Sequence, residues 1–270
     1  MIKSAITVSL VAQAKGGPFV YWDGLAPAAA SAAKLGFDAI EVFAPSAASI
    51  DRPALHSLLK QHGLAAAAFG TGGGWLVHKW HLTHADPAIR SQAREFIRAI
   101  IDVGGEFKAP AIIGSMQGKA EGDVSRDQAL AWLAEALTDL GAHAARYGVP
   151  LLYEPLNRYD APGYFLNSLA QAEEIITSVN QPNLKLMFDC YHVGRTEGDV
   201  LAQLQARLPH IGHIQFASIP SRKSPDQGTL DYTQVFAAIE ALGWTRPLGA
   251  EYHPDGVTEN SLDWMHTLRP

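Results

Sequence analysis

The sequence predicts a single (β/α)8 TIM barrel, an α/β fold in which eight parallel strands alternate with eight helices. Short apolar runs alternate with longer helical segments along the whole chain, as strand and helix units do in such barrels. No linker, low-complexity tract or break in composition divides the chain. A length of 270 residues with 47% hydrophobic residues suits one large core. We therefore treat residues 1–270 as one barrel domain.

The strands are expected where short apolar runs are bounded by Gly, Pro or polar residues. They are placed at 4–11, 37–43, 64–69, 109–116, 149–154, 184–189, 211–216 and 246–252. The helices are placed at 26–35, 51–62, 86–103, 125–147, 168–179, 198–207, 231–242 and in a last segment that ends near 269. Asp23 is a candidate cap for the first helix, while Asp51 and Pro53 open the second.

One segment, from Gly70 to His84, fits neither a helix nor a strand pattern. Long ordered loops in compact domains are usually functional. Its histidines at 78, 81 and 84 could bind a second metal, but this spacing has little force in a loop of unknown path. We favour a substrate lid that includes Trp75 and Trp80.

The composition argues against nucleic acids and membranes as partners. With a net charge of −6 and a pI near 6.0, the chain lacks the surplus of Lys and Arg that binding to a phosphate backbone requires. The apolar run after Met1 is too short for a membrane span, and a first barrel strand explains its alternating Ser and Thr. One cysteine, Cys190, excludes an internal disulfide and fits a reducing compartment. We expect a soluble cytoplasmic protein with a small-molecule partner.

The fifth to the eighth predicted strands each carry a polar residue at or near their carboxyl end. These residues are Glu154, Asp189, Gln215 and Glu251, and they are separated by 35, 26 and 36 residues, about one βα unit each. A carboxylate in this position faces the mouth of the barrel, where barrel enzymes carry their active sites. We therefore expect the four side chains to form one site.

Three carboxylates and one amide oxygen form a set of hard donors. Such a set suits Mn²⁺, Mg²⁺ or Co²⁺ better than copper or a cysteine-bound zinc. Three negative charges within a few ångströms would repel one another, and a divalent cation removes that cost. The alternative is that these acids form separate salt bridges at the barrel rim. We expect the site to bind one divalent metal ion.

Two of these acids are also placed for proton transfer. Glu154 and Glu251 belong to strands five and eight, which lie on opposing sides of the mouth with the metal between them. A carboxylate on each side of a metal-bound hydroxy-carbonyl could remove a proton from carbon and return it through an enediolate. We therefore expect an isomerase or epimerase of a small hydroxy-ketone or ketose sugar.

Several motifs in the second half of the chain, roughly 149–254, resemble those of the xylose isomerase-like barrel superfamily. Within it they are most similar to the hydroxypyruvate isomerases and the ketose 3-epimerases. The motifs are Glu154-Pro-Leu-Asn-Arg-Tyr-Asp160, Phe188-Asp-Cys-Tyr-His192, Gly212-His-Ile-Gln215 with Pro220-Ser-Arg222, and Gly249-Ala-Glu-Tyr252. In the first half, Gly36-Phe-Asp-Ala-Ile-Glu41 is the best match.

The resemblance implies roles for seven residues. Glu154, Asp189, Gln215 and Glu251 would bind the metal, and Glu154 and Glu251 would exchange the proton. His192 and Arg222 would hold substrate oxygens, and Asp160 stands where the 3-epimerases carry a glutamate. The resemblance also implies a homo-oligomer, either a dimer or a tetramer.

The sequence leaves the substrate open between these two groups. The 3-epimerases usually have histidine at the position of Gln215, whereas Asn157-Arg158 resembles the sugar epimerases. The stretch Pro162-Gly-Tyr-Phe-Leu166 resembles the hydroxypyruvate isomerases. Those isomerases usually have His-Glu-Pro after their arginine, where this chain has Lys223-Ser-Pro225.

Two other functions compete with the isomerase. A metal nuclease of the endonuclease IV type shares the barrel, but it would use several histidines for a zinc cluster and a positive groove. A non-catalytic sugar-binding barrel would not need both Glu154 and Glu251.

Two further residues are expected near the site. Glu41 is either an acid beside it or a salt-bridge partner of an Arg or Lys. His213 is expected to point away from Gln215 and to form hydrogen bonds nearby rather than bind the metal.

Overall fold

The computed structural model describes residues 2–267, which form a closed barrel of eight parallel strands. Each strand pairs with the next one in the sequence, and the eighth pairs with the first to close the ring. The strands are β1 (Ser4–Ser9), β2 (Ala39–Phe43), β3 (Ala65–Gly70), β4 (Ala111–Ile113), β5 (Leu151–Tyr153), β6 (Leu184–Asp189), β7 (Ile211–Phe216) and β8 (Leu248–Ala250). The predicted (β/α)8 barrel is confirmed.

Helices alternate with the strands along the chain. They are α1 (Leu25–Lys34), α2 (Arg52–His62), α3 (Gly73–His78), α4 (Pro87–Phe107), α5 (Arg126–Ala145), α6 (Leu169–Val179), α7 (Cys190–Thr196), α8 (Val200–Arg207), α9 (Tyr232–Ala241) and α10 (Trp264–Thr267). The expected end of the last helix, near 269, lies outside the described residues. In the part of the chain that the structure describes, no helix combines the length and the hydrophobicity that a membrane span needs.

Most helices begin where the sequence supplies a cap. The side chain of the capping residue accepts a hydrogen bond from a backbone N–H of the first turn. These residues include Asp51, Asp86, Ser125, Ser168, Asp199 and Asp231. The expected cap at Asp23 is wrong, because α1 starts after Gly24 without a side-chain cap. Gly24 has a φ of 93°, which only glycine adopts easily.

The expected irregular loop from 70 to 84 is also wrong in part, because it contains α3. Glycine is a poor helix former, so a sequence that contains Gly73 and Gly74 does not predict this helix. Packing explains their presence, since a Cβ at Gly73 would lie 2.3 Å from the Ala44 carbonyl oxygen. The sequence also fails to predict α7, which begins directly at the end of β6.

The barrel interior changes from apolar to polar along the strands. Small residues fill the part nearer the amino ends of β1 to β3, where Ala5, Ala39 and Ala67 pack together. Buried polar side chains follow towards the carboxyl ends, among them Thr7 and Glu41. The main apolar core lies between the strands and the helices. The fold therefore places a group of buried polar side chains towards the carboxyl end of the barrel.

We expect the Phe216→Ala variant to lose about 3–5 kcal/mol of unfolding free energy. The Phe216 side chain is 1% exposed, and its ring contacts Phe236 and Trp264 edge to face at 5.1 and 5.2 Å. Removing the ring leaves a cavity that the packed neighbours cannot fill. Urea unfolding measures the loss. The control Val257→Ala, at a residue that is 61% exposed, should cost less than about 0.5 kcal/mol. Equal midpoints for the two variants would contradict this packing.

Candidate active site

The carboxyl ends of the strands open into a cavity of about 610 Å³. Six of the seven predicted site residues line it, namely Glu154, Asp160, His192, Gln215, Arg222 and Glu251. The seventh, Asp189, is 2% exposed and is bonded to Arg222 beside the cavity. The structure therefore brings all seven residues together at the end of the barrel where such enzymes carry their active sites.

Backbone pairing fixes the positions of the four expected metal ligands. Glu154 directly follows β5, and its N–H donates to a carbonyl of β4 at 3.0 Å. Glu251 directly follows β8, and its N–H donates to a carbonyl of β7 at 3.2 Å. Asp189 and Gln215 lie opposite each other in the register of β6 and β7. The four side chains are thus held by the rigid barrel rather than by loops.

Asp189 also starts a helix. Its Oδ1 atom accepts a hydrogen bond from the Tyr191 N–H at 2.8 Å, which caps α7. Its Oδ2 atom faces the cavity side, where it accepts from Arg222 Nη2 at 3.1 Å and lies 3.6 Å from His192 Nε2. One carboxylate therefore orders α7 and contributes an oxygen to the site.

Arg222 reaches the site from a tight loop after β7. The loop is closed by the Arg222 N–H, which donates to the Ser218 carbonyl at 2.9 Å, and by a bond from Lys223 N–H to Ser218 Oγ at 2.9 Å. Arg222 has a φ of 54°, a left-handed conformation that is costly outside glycine and often found at functional sites. Its guanidinium donates to both Asp189 and Glu251. The left-handed backbone at Arg222 thus places its guanidinium between Asp189 and Glu251.

The hydrogen bonds around His192 define its tautomer. The backbone N–H and the side-chain Nδ2 of Asn157 both point at His192 Nδ1, at 3.1 and 2.7 Å. The Asn157 amide is oriented by two backbone N–H groups that donate to its Oδ1. Nδ1 is therefore an acceptor, and the ring proton resides on Nε2, 3.7 Å from Glu154 Oε1. Burial and the charge of Arg222 hold the pKa of His192 well below its usual range, so the ring is neutral.

Asp160 lies at the exposed mouth of the cavity. Its Oδ2 atom accepts from Asn157 Nδ2 at 2.8 Å and from the Tyr191 hydroxyl. Burial alone would raise the pKa of Asp160, but these two hydrogen bonds lower it below the ordinary value. The carboxylate is therefore ionised at neutral pH and can accept further hydrogen bonds.

The buried acids of the site have little positive charge near them to balance their own. Burial raises the pKa of Glu154 well above its ordinary range, and the charges of Glu251 and Asp189 raise it further. Burial raises the pKa of Glu251 to about 8, although the adjacent Arg222 guanidinium acts in the opposite direction. Burial likewise raises the pKa of Asp189. A cation among these groups would lower their mutual repulsion.

Sequence reasoning left Glu41 open and placed His213 wrongly. Glu41 is 5% exposed and accepts hydrogen bonds from His213 Nε2 at 2.8 Å and from Gln215 Nε2, so its partners are neither Arg nor Lys. His213 lies on the same side of β7 as Gln215, because side chains two residues apart in a strand share a face. This two-residue spacing is the signal that predicts the correct orientation.

Glu41 also orients the Gln215 amide. Because Gln215 donates through Nε2 to Glu41, its Oε1 atom points elsewhere. That oxygen is buried and has no hydrogen-bond partner within residues 2–267. A buried amide oxygen usually has a partner. Together with the carboxylates of Glu154, Asp189 and Glu251, this oxygen forms a donor set that fits a hard divalent cation.

Two glycines allow the acids to approach the strands closely. A Cβ at Gly114 would lie 2.6 Å from Glu154 Oε2, and one at Gly249 would lie 2.4 Å from Glu41 Oε2. Both distances are shorter than side chains tolerate. The site therefore needs glycine at these positions.

The three histidines of the segment 70–84 do not form a second metal cluster in the described structure. His81 is buried beside Thr83 and Glu121, and His78 stacks on Trp80. Within residues 2–267, one group of three His, Cys, Asp or Glu side chains could hold an ion: Glu154, Asp189 and His192. Of the two expected lid tryptophans, Trp75 lines the cavity and Trp80 does not.

Comparisons with known proteins agree on the fold. A profile of the family described as xylose isomerase-like TIM barrel matches residues 29–268. A 2-oxo-tetronate isomerase of Cupriavidus necator is 35% identical over 242 residues, covering 87% of this chain and 90% of that protein. The hydroxypyruvate isomerase of Escherichia coli is 34% identical over 157 residues, covering 58% and 61%. The structure of an AP endonuclease of family 2 from Brucella melitensis has a TM-score of 0.82 at 26% identity, covering 98% and 99%.

The fold, the cavity with its buried acids and these relatives define an enzyme of the sugar isomerase and epimerase class. The chain belongs to the xylose isomerase-like TIM barrel family. The predicted resemblance to this family, with the hydroxypyruvate isomerases among its relatives, is confirmed.

Proposed function

We propose that the chain is a divalent-metal-dependent isomerase or epimerase of a small hydroxy-ketone or ketose sugar, in which Glu154 and Glu251 transfer the proton. The observation that carries this proposal is the placement of both glutamates in one cavity, beside Asp189 and the unpartnered oxygen of Gln215. A site that only bound sugar would gain nothing from two desolvated acids, since hydrogen bonds alone would hold the ligand.

The four oxygen-bearing residues Glu154, Asp189, Gln215 and Glu251 would hold the ion. Their chemistry suits Mn²⁺, Mg²⁺ or Co²⁺, which prefer carboxylate and carbonyl oxygens. Such an ion, when bound, polarises the hydroxyl and carbonyl oxygens of a substrate and so acidifies the adjacent carbon. His192 is a poor candidate for a fifth ligand, because its Nε2 atom carries the proton.

The two glutamates would act as the base and the acid. One carboxylate removes the proton from the carbon beside the carbonyl. In epimerisation a carboxylic acid returns a proton to the opposite face of that carbon; in isomerisation the proton goes to the former carbonyl carbon, and the hydroxyl proton passes to the former carbonyl oxygen. A general base is most effective when its pKa lies near the working pH. The pKa of Glu251, about 8, is closer to neutrality than that of an ordinary glutamate. Burial thus raises the proton affinity of both glutamates, and a bound cation would act in the opposite direction.

The other predicted residues would orient the substrate. The proton on His192 Nε2 can be donated to a substrate oxygen as negative charge develops there. Arg222 presents a guanidinium in the same cavity, and the ionised Asp160 can accept a hydrogen bond from a substrate hydroxyl at the mouth. Because His192 is neutral and fixed, it would polarise the oxygen without taking a proton from carbon.

Deuterium exchange tests the proposal. The protein would be incubated with Mn²⁺ and hydroxypyruvate, 2-oxo-tetronate and neutral ketoses in D₂O, and the products analysed by NMR. We expect deuterium on the carbon next to the carbonyl, since a carboxylate exchanges its proton with solvent. Conversion without incorporation of deuterium would indicate that a hydride shift, rather than proton transfer by the glutamates, carries the reaction. Binding of Mn²⁺ without conversion of any compound would overturn the proposal.

We expect the Asn157→Ala variant to lose roughly 10-fold in turnover, the lower end of the range for loss of an orienting partner. Asn157 holds both the His192 ring and the Asp160 carboxylate, so its loss releases two groups at once. Steady-state kinetics measures the change. Arg158→Ala is the matched control. The Arg158 side chain is exposed and, within residues 2–267, interacts only with the ring and the hydroxyl of Tyr159. Equal turnover of the two variants would show that this hydrogen-bond network has no role in the reaction.

A nuclease is the second candidate, because a structural relative carries that description. Two observations favour the isomerase over it. The net charge of −6 opposes the binding of a phosphate backbone, and the proposed ligand set contains carboxylates and an amide rather than several histidines. Cleavage of abasic DNA by the metal-loaded protein would restore the nuclease hypothesis.

Three broader expectations stay predictions. These are a single domain over residues 1–270, a homo-oligomer that is a dimer or a tetramer, and a cytoplasmic location. Light scattering after gel filtration would test the oligomer directly.

A further inference from the structure

The cavity contains a lysine that the proposed reaction does not use. Lys119 lines the cavity on the segment after β4, and its ammonium lies 5.5 Å from the Trp75 ring centre and 4.9 Å from the Tyr164 ring centre. Both aromatic residues line the same cavity. Aromatic faces hold a cation in place without neutralising its charge. The lysine is therefore positioned, yet it keeps its full charge.

The backbone around Lys119 is also fixed. Lys119 forms an isolated bridge with Tyr164, and its carbonyl accepts from Thr83 Oγ1 at 2.7 Å. Gly118 before it has a φ of 94°, and a Cβ there would lie 2.2 Å from Thr83 Oγ1. A flexible surface lysine would need none of these contacts. They place the half-buried Lys119 side chain against the cavity rather than in solvent.

The two permanent cations of the cavity lining differ in their partners. Arg222 is engaged by the carboxylates of Asp189 and Glu251. Lys119 forms no ion pair within residues 2–267, and Glu121 Oε1 lies 3.4 Å from Nε2 of His81, a neutral ring because burial lowers its pKa to about 4. The ammonium therefore has donors available for a carboxylate that enters the cavity.

The acids of the cavity lining would oppose the binding of an anionic substrate, so a cation without an ion-pair partner would favour it. Glu41, Glu154, Asp160 and Glu251 all line the cavity, and they would repel a substrate carboxylate placed beside them. Lys119 lies beside Tyr164 on the lining of this cavity, and the Tyr164 hydroxyl is fixed because it donates to the Ser115 carbonyl at 3.2 Å. In a 2-oxo acid the carboxylate is bonded to the carbonyl carbon, so a carboxylate bound to Lys119 would bring that carbonyl into the cavity that Glu154 and Glu251 line.

We propose that Lys119, held between Trp75 and Tyr164, binds the carboxylate of the substrate and makes the enzyme selective for 2-oxo sugar acids over neutral ketoses. This inference rests on the proposed function and specifies its substrate class. The contact would be a charge-assisted hydrogen bond from Nζ to a carboxylate oxygen. It requires no change in the roles of Glu154 and Glu251.

The test compares Lys119→Met with Lys79→Met. Methionine keeps the length and the apolar contact with the rings, so the fold should be retained, and thermal melting checks this. Lys79 is the matched control, because its ammonium lies 5.1 Å from the same Trp75 ring, but it is exposed and does not line the cavity. The substrates are a pair of equal carbon number, 2-oxo-tetronate and the neutral ketose erythrulose.

We expect the ratio of kcat/KM for the acid to that for the ketose to fall roughly 10- to 100-fold in Lys119→Met, mainly through KM. The ratio for Lys79→Met should stay within about twofold of the parent. The non-reactive anion threonate, used as a competitive inhibitor, should lose affinity in Lys119→Met alone. An unchanged ratio and unchanged threonate affinity, or a parent enzyme that prefers erythrulose, would overturn the role of Lys119 and leave the isomerase intact. Turnover of neither substrate by the parent enzyme would overturn the proposed selectivity, and the proposed function would fall with it only if hydroxypyruvate and the other ketoses were not converted either.

Discussion

The Glu251→Gln variant should lose roughly 10²- to 10⁴-fold in turnover and in deuterium exchange, the range that a general acid or base contributes. Glutamine has nearly the same shape as glutamate and keeps an oxygen donor, but it cannot accept the substrate proton. The Glu251 side chain is 13% exposed and bonded to Arg222, so a neutral replacement should remain in place. The loss should therefore fall on kcat more than on binding.

Matched variants separate this role from a general loss of charge. Glu154→Gln should have an effect of similar size, and the double variant should lose little more than either alone, because residues that act as a unit are not additive. Glu174→Gln on the exposed face of α6 is the control and should keep full turnover. Turnover retained in Glu251→Gln would require another base, while threonate binding without turnover in the parent protein would favour a sugar-binding barrel.

The Gln215→Leu variant should bind Mn²⁺ at least roughly 10- to 100-fold more weakly, since even outer partners of metal ligands have effects of this size. The Nε2 atom of Gln215 donates to Glu41, so the buried Oε1 atom of Gln215 faces away from that acid and has no hydrogen-bond partner within residues 2–267. Leucine has a similar volume and provides no oxygen. Calorimetric titration with Mn²⁺ measures affinity without any substrate, so the result does not depend on the choice of ketose.

Two further variants make the metal prediction specific. Gln234→Leu, on the exposed side of α9, should bind Mn²⁺ as the parent does. Gln215→His should retain more affinity than Gln215→Leu, because imidazole can also bind Mn²⁺ or Co²⁺. Equal affinities for all three variants would exclude Gln215 as a ligand and leave Glu154, Asp189 and His192 as the group to examine.

The sequence predicts the barrel well because the barrel repeats one local pattern. Strands β6 and β7 match their predicted bounds of 184–189 and 211–216, since each is a mostly apolar run, interrupted by Lys185 or His213, with a polar residue at or near its end. The helices α3 and α7 are missed for different reasons. Helix α3 contains glycines that packing requires. Helix α7 is capped by Asp189, a carboxylate that the sequence analysis assigns only to the site. Tertiary contacts decide both.

In the candidate site too, local sequence patterns predict some features and tertiary contacts decide the others. Strand ends meet at one edge of a parallel barrel, so the convergence of Glu154, Asp189, Gln215 and Glu251 can be predicted from their spacing. The bonds that orient them cannot. The pair of Glu41 and Gln215 joins residues 174 positions apart, and no local pattern indicates which amide atom faces the acid.

The shared use of Asp189 limits how this enzyme can evolve. One of its oxygens caps α7 and the other faces the proposed metal site, so a substitution there would be expected to damage architecture and chemistry together. Adaptation to a new sugar must therefore come from elsewhere. The rim of the barrel offers that freedom: Lys119 and Asp160 line the cavity on segments outside the strands, where one residue can change while the ring of strands stays as it is.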